Sequence, residues 1–169
     1  IIIAVPSFKL LYKQDVIPEP DLTIKAIGYQ WYWGYEYPDN GNFSYEAFML
    51  QSADELEEDK PFKRMLTTDT QVVVPVNKII RMQVTAADVL HSWAIPAFGV
   101  KTDAVPGRLN ETWFKAEKTG IYYGMCSELC GVNHQSMPIE VHVVTQKEFE
   151  EWVIEAQSKY AGKNNIIAN

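Results

Sequence analysis

Both cysteines of the 169-residue chain, one of its three histidines and Met137 fall in one short run, Gly124-Met125-Cys126-Ser127-Glu128-Leu129-Cys130-Gly131-Val132-Asn133-His134-Gln135-Ser136-Met137-Pro138. Thiolate, imidazole and thioether are soft or borderline ligands, a set that suits copper and does not suit magnesium or calcium. A disulfide between Cys126 and Cys130 is one competing reading, natural outside the cytoplasm. The loop it closes is so short that it stabilises little, and it leaves His134 and Met137 without a role. Zinc is another. Finger sites, however, use close pairs of Cys and of His, whereas here the second histidine would come from far upstream and Met137 would be idle.

A mononuclear blue-copper site uses one Cys, two His and a weak axial Met, so this run holds one thiolate too many. Two thiolates can instead bridge two coppers, each ion then needing one imidazole and one weak axial ligand. His134 serves one ion, and His91 or His142 the other. His142 stands inside the alternating run Ile139 to Val144, where a lone histidine is ordinarily a strand residue. His91 stands in Asp88-Val89-Leu90-His91-Ser92-Trp93, a break between strand-like runs from which a side chain can turn towards a neighbouring loop. His91 is therefore the expected second imidazole. Met137 supplies one axial ligand and the main-chain carbonyl of Glu128 the other. Both cysteines bind as thiolates, and the chemistry is electron transfer, since the sequence shows no nucleophile–base pair.

Such ligands need a rigid frame. Ile121-Tyr122-Tyr123 before the run and Ile139 to Val144 after it are rich in β-branched and aromatic residues, so the cluster reads as a loop joining two strands. Upstream, Leu22 to Gly28 alternates as a strand and continues into Tyr29-Gln30-Trp31-Tyr32-Trp33-Gly34-Tyr35-Glu36-Tyr37, whose odd positions share one face. Asp39-Asn40-Gly41 is a hairpin turn. Thr70 to Val76, with Pro75 at an edge or bend, and Lys78 to Thr85 read as consecutive strands, and Thr112 to Ala116 as another. Many short strands without a βαβ rhythm predict an all-β, antiparallel Greek-key sandwich or barrel. Thr145-Gln146-Lys147-Glu148 is a capping box opening a C-terminal helix with Phe149, Trp152, Val153 and Ala156 on one stripe. A frayed end is expected at residues 163–165.

The run Cys126 to His134 with Met137-Pro138, the upstream His91, Gln30-Trp31-Tyr32-Trp33 and Asp103-Ala104-Val105-Pro106-Gly107-Arg108 together resemble subunit II of cytochrome c oxidase, and specifically its soluble binuclear copper (CuA) domain of bacterial type. The resemblance covers nearly the whole chain, from about Asp21. It implies a cupredoxin-like fold and a tryptophan, here Trp31, that lies above the copper loop and receives the electron. It implies cytochrome c as donor and a haem in the large membrane subunit as acceptor, for oxygen reduction to water with proton pumping. It also implies a magnesium site at the interface with that subunit, using the carboxylate of Glu128, and places Asp103 and Arg108 on the same interface. The runner-up readings are a copper redox domain of another respiratory reductase and a copper-delivery module.

A net charge of −7 argues against nucleic acid and for a cationic partner. Glu36 and Asp88, near Trp31 and His91 in sequence, are the expected docking residues, and the acidic run Asp54 to Asp59 is a solvated loop or a further patch. No stretch approaches the about 20 apolar residues of a spanning helix. Ile1 to Val5 is expected to be the stump of a membrane helix, and Pro6 to Pro20 a linker, which makes residues 1–20 one segment, 21–145 the copper domain and 146–169 the C-terminal helix and tail. The expected location is the periplasmic face of a bacterial inner membrane, or the equivalent intermembrane-space side in mitochondria.

Overall fold

The computed structural model describes residues 1–56 and 61–160. It opens with a helix, α1 (Ala4–Asp15), none of whose residues is buried. The expected linker therefore begins later than Pro6. A proline in the first helical turn gives up an N–H that has no partner there in any case, and only residues 16–20 are extended or irregular. The indole of Trp113 donates to the Gln14 carbonyl at 3.1 Å and ties the end of α1 to the sheet.

The aromatic run is not one strand. Strand β1 (Leu22–Tyr29) and β2 (Tyr32–Tyr37) form an antiparallel hairpin whose turn is Gln30-Trp31, joined by a cis peptide bond. Trp33, Tyr35 and Tyr37 keep the predicted shared face and are buried. Tyr29 instead stacks on Tyr32 across the hairpin end, ring centroids 4.8 Å apart, and Trp31 leaves the sheet. A tertiary contact overrides the alternation: the Asp88 carboxylate takes the Gln30 N–H that a continuing strand would have used. The turn at 38–40 closes through Gly41 at φ 89° and leads into β3 (Phe43–Ala47).

Seven strands follow: β4 (Val72–Pro75), β5 (Ile79–Ala86), β6 (His91–Ile95), β7 (Val100–Ala104), β8 (Asn110–Lys115), β9 (Gly120–Met125) and β10 (Pro138–Val144), then α2 (Gln146–Tyr160). The first sheet has the order β3-β2-β1-β5-β8; β4-β10-β9 forms a second, and β6 pairs with β7. The sandwich and its C-terminal helix are as expected, with one difference. The strands that meet across long connections, β1 with β5 and β4 with β10, run parallel. His91 is also placed differently: it is the first residue of β6, paired with Ala104, and not part of a loop.

The core lies between the sheets, with Ile24, Trp33, Tyr35, Val72, Val74, Ile80, Met82, Trp93, Ile139 and Val141 all at most 1% exposed. Tyrosine hydroxyls stitch the layers: Tyr37 donates to the Val73 carbonyl at 2.9 Å and accepts from the Val73 N–H at 3.0 Å, and Tyr45 donates to the Gln71 carbonyl at 2.9 Å. The capping box forms, with Glu148 accepting the Thr145 N–H at 2.8 Å. Helix α2 then buries Phe149, Ala156 and Tyr160 against β3 and β4, the outer strands of the two sheets. Asp54 and Glu55 lie in an exposed turn. The rest of the acidic run from residue 57, and residues 163–165, lie outside the described residues. No helix among the described residues is long and apolar enough to cross a membrane.

Candidate metal centre

Three connections converge at one end of the sandwich: the Gln30-Trp31 turn, the Asp88 loop between β5 and β6, and the Cys126–Met137 loop between β9 and β10. The last is closed at its base by the Cys126 N–H donating to the Met137 carbonyl at 3.0 Å. It is pinned to β6 by the Ser127 N–H donating to the Ser92 carbonyl at 2.9 Å. That second bond carries Cys126 next to His91, the residue before Ser92, and so turns two distant stretches of sequence into one site.

The result is a row. His91 Nδ1 lies 3.9 Å from Cys126 Sγ, which lies 3.8 Å from Cys130 Sγ, which lies 3.5 Å from His134 Nδ1. Both cysteines are free thiols, so the structure does not hold the disulfide alternative. The Glu128 carbonyl is 3.4 Å from Cys126 Sγ. His91, Cys126, Cys130 and Met137 are buried and His134 is half-buried. Among the described residues, His91, Cys126 and Cys130 are a group whose ligand atoms all lie within 4.8 Å of one another. His134 extends the row beyond that group. One tetrahedral ion would need both imidazoles around one point; here each imidazole faces a different sulfur.

The electrostatics favour binding a cation. Burial is the largest influence at Cys126 and works against a thiolate, but hydrogen bonds with the His91 ring, the Glu128 and Ser92 main chain and His134 together outweigh it and hold the thiol below its ordinary value. Burial, joined by the neighbouring Cys126 charge, pushes Cys130 up. The pair therefore gives up one proton readily and keeps the second until a positive charge arrives between the sulfurs. A largely buried donor set of two thiols, two imidazoles, a thioether-bearing residue and a carbonyl fits a soft or borderline metal better than a hard one.

Around the row, Asp88 bonds His91 Nε2 at 2.8 Å through Oδ1 and takes the Gln30 N–H at 2.7 Å through Oδ2. That leaves Nδ1 of His91 as the nitrogen presented to Cys126, since the imidazole's other nitrogen is occupied. Trp31 Nε1 donates to the Cys130 carbonyl at 3.1 Å and Gln30 Nε2 to the same oxygen at 2.8 Å. Neither the Gln30 contact nor the Asp88–His91 pair was legible beforehand, because both depend on how the hairpin end folds over the loop. Glu36 is on β2, paired with Lys25 at 3.1 Å. Asp103 is on β7, 3.3 Å from Lys101, and Arg108 is exposed in the turn before β8. His142 is on β10, its Nε2 2.7 Å from the buried carboxylate of Glu140, and it takes no part in the row.

Residues 22–144 match the family model described as cytochrome C oxidase subunit II, periplasmic domain. The chain is 50% identical over 169 residues to a probable cytochrome c oxidase subunit 2 of Rickettsia bellii, covering 100% of this chain and 59% of the relative. It is 49% identical over 174 residues to cytochrome c oxidase subunit 2 of Cereibacter sphaeroides, covering 93% and 57%. The chain thus spans little more than half the length of these curated relatives. Among solved structures, the periplasmic domain of subunit II of cytochrome oxidase (CoxB) of Bradyrhizobium japonicum aligns with TM-score 0.79 and 58% identity, over 86% of this chain and 100% of that one. A mixed-disulfide intermediate between a thioredoxin-like protein and subunit II of cytochrome c oxidase aligns with TM-score 0.75 and 56% identity, over 88% and 99%.

Proposed function

This chain belongs to the family of cytochrome c oxidase subunit II periplasmic domains, and from that premise we propose that it is the electron-entry module of such an oxidase, on the periplasmic face of the membrane. The observation that carries the reading is the row His91–Cys126–Cys130–His134, two adjacent sulfurs flanked by one imidazole each. His91, Cys126, Cys130 and His134 would hold two coppers, with Met137 and the Glu128 carbonyl as further, weaker donors. Bound there, the copper pair would supply one-electron redox chemistry with the unpaired electron shared over both ions, so that little reorganisation opposes transfer.

The protein's part is to hold that geometry and to bring the electron in. The half-buried Trp31 is the entry point: its indole is bonded to the main chain of Cys130, which makes a contact from the surface to a ligand. Strand β6 carries His91, and β9 and β10 hold the two ends of the Cys126–Met137 loop. A basic cytochrome c is the donor, steered by the net charge of −7. Asp88, beside Trp31, contributes to that field more than Glu36, whose charge is offset by Lys25. Neutralising both should flatten the fall of the electron-entry rate with rising salt; an unaltered salt dependence would remove them from the docking site. The exposed Asp103 and Arg108, with the Glu128 carboxylate at a magnesium site, face the haem-bearing subunit. The mixed disulfide recorded for the relative supports a further step of assembly, in which a thioredoxin-like protein keeps Cys126 and Cys130 reduced until metal arrives.

The test is the electron paramagnetic resonance spectrum of the copper-loaded, oxidised chain. Hyperfine structure from one electron shared equally by two copper nuclei is the expected result. A single-copper pattern, or uptake of zinc in preference with no signal, would overturn the assignment.

A further inference from the structure

Gln30 is exposed, yet both its main chain and its side chain are committed. Its N–H donates to Asp88 Oδ2 at 2.7 Å, and the other oxygen of that carboxylate holds His91 Nε2 at 2.8 Å. Its side-chain amide donates to the Cys130 carbonyl at 2.8 Å, beside the Trp31 indole on the same oxygen at 3.1 Å. A carbonyl oxygen has two lone pairs, and here two donors from adjacent residues fill both. One residue therefore reaches two members of the row, His91 through Asp88 and Cys130 directly.

The loop is shaped to admit this contact. Gly131, the residue after Cys130, has φ +122°, a conformation that side chains resist. A Cβ there would lie 3.0 Å from Gln30 Nε2 and 3.0 Å from Trp31 Cζ2. The absent side chain leaves room for both donors at the Cys130 oxygen, and a Cβ there would crowd them.

We propose that Gln30 is a positioning residue for electron entry: it clamps the hairpin end to the metal loop, sets Trp31 against the Cys130 peptide, and couples that peptide to His91 through Asp88. This rests on the reading of the row as a copper centre, but its first consequence does not need copper. In the metal-free chain the Trp31 indole proton is protected by an oriented hydrogen bond, and removing its companion donor frees the turn. In the loaded chain the two donors draw electron density from the Cys130 peptide, which favours the reduced centre.

The experiment uses this chain with Gln30→Met, which keeps the side-chain length and loses the amide donor to Cys130 while leaving the Trp31 indole and the main-chain N–H to Asp88 in place, and with Gly131→Ala, which keeps the donors and crowds them. In the metal-free form, hydrogen exchange of the Trp31 indole followed by NMR should quicken about fivefold in Gln30→Met, as for the loss of one net hydrogen bond, while β1 and β2 amides exchange as before. In the copper-loaded form the reduction potential should fall, and Gly131→Ala should move both readouts the same way. An unchanged indole exchange and potential in Gln30→Met would overturn the proposal, and so would equal acceleration of the strand amides, which would mark a general loss of stability. A wild-type chain that shows the Trp31 coupling but takes up no copper would instead sink the copper reading and support the clamp.

Discussion

At the helix end of the sandwich, Tyr37, Phe43 and Tyr45 pack on Trp152 and Tyr160 of α2, with ring centroids 5.0–6.4 Å apart. Each ring has several neighbours, and the hydroxyls of Tyr37 and Tyr45 are bonded to the main chain of residues 71–73. At the loop end, single contacts do the positioning: one carboxylate for His91, one carbonyl for Trp31 and Gln30, one main-chain bond from Ser127 to Ser92. The helix end gains from area, which is non-directional and redundant. The loop end buries a histidine that an apolar core would not choose, and holds it and the two thiols by direction. Stability and chemistry are therefore separable, and substitutions can be chosen to strike one and spare the other.

Cys130→Ser is the strongest blow to the loop end alone. The hydroxyl is a poor substitute for a bridging thiolate, so the two-nucleus spectrum should disappear while urea unfolding of the metal-free chain stays close to wild type. A preserved binuclear spectrum would break the assignment of Cys130 as a bridge. Phe43→Ala is the converse. Phe43 is 2% exposed, and truncating a buried ring costs about 3–5 kcal/mol, which should appear as a much lower urea midpoint with the copper spectrum of the folded fraction unaltered. A changed spectrum would mean that the two ends are mechanically linked.

Gly28→Ala tests the border between them. Gly28 is in β1, and an added Cβ would lie 2.7 Å from His91 Cδ2 and 2.8 Å from Cγ, an imidazole that Asp88 prevents from turning aside. Overpacking of this kind costs about 1–3 kcal/mol. Here it should also displace a ligand, giving weaker copper uptake together with a lowered unfolding midpoint. A loss of stability with normal uptake would show that His91 can move without harm.

The members of the row from Cys126 to Met137 were legible as candidates because their types are rare and closely spaced, and the strands because alternation survives in Ile79–Ala86 and its neighbours. The sandwich followed from turns and short strands. What could not be read was anything decided across the hairpin end. Tyr29 to Tyr37 alternates without a break, so nothing local marks Gln30-Trp31 as a turn; the Asp88 carboxylate, far along the chain, makes it one. His91 looked like a loop residue because Asp88-Val89-Leu90 precedes it, yet pairing with Ala104 starts β6 there. Parallel pairing of β1 with β5 is likewise a long-range choice. Asp88 was read as a surface charge for a partner; its bonds to His91 and Gln30 give it a second, internal role that the sequence did not show.

The smallest effect is expected at Asp21, at the start of β1 and so at the opposite end of that strand from Gly28. Asp21 Oδ2 accepts the Ile79 N–H at 2.8 Å and Oδ1 pairs with Lys78 at 3.1 Å. The Ile79 N–H first, and then Lys78, hold its carboxyl below the ordinary carboxylate range. A carboxylate whose pKa is lower folded than unfolded contributes stability that is present above its unfolded value, about 3.9, and is lost as pH falls through the folded value. The side chain is largely in water, so the contribution is under about 1 kcal/mol. Asp21→Asn should therefore lower the urea midpoint of the metal-free chain slightly at pH about 7, and the difference from wild type should shrink towards pH about 3, as the wild-type carboxylate takes up its proton. The copper spectrum at neutral pH should not change. A midpoint difference that is the same at both pH values would show that the contact works through shape and not charge, and a spectral change would carry the coupling between the two ends all the way down β1.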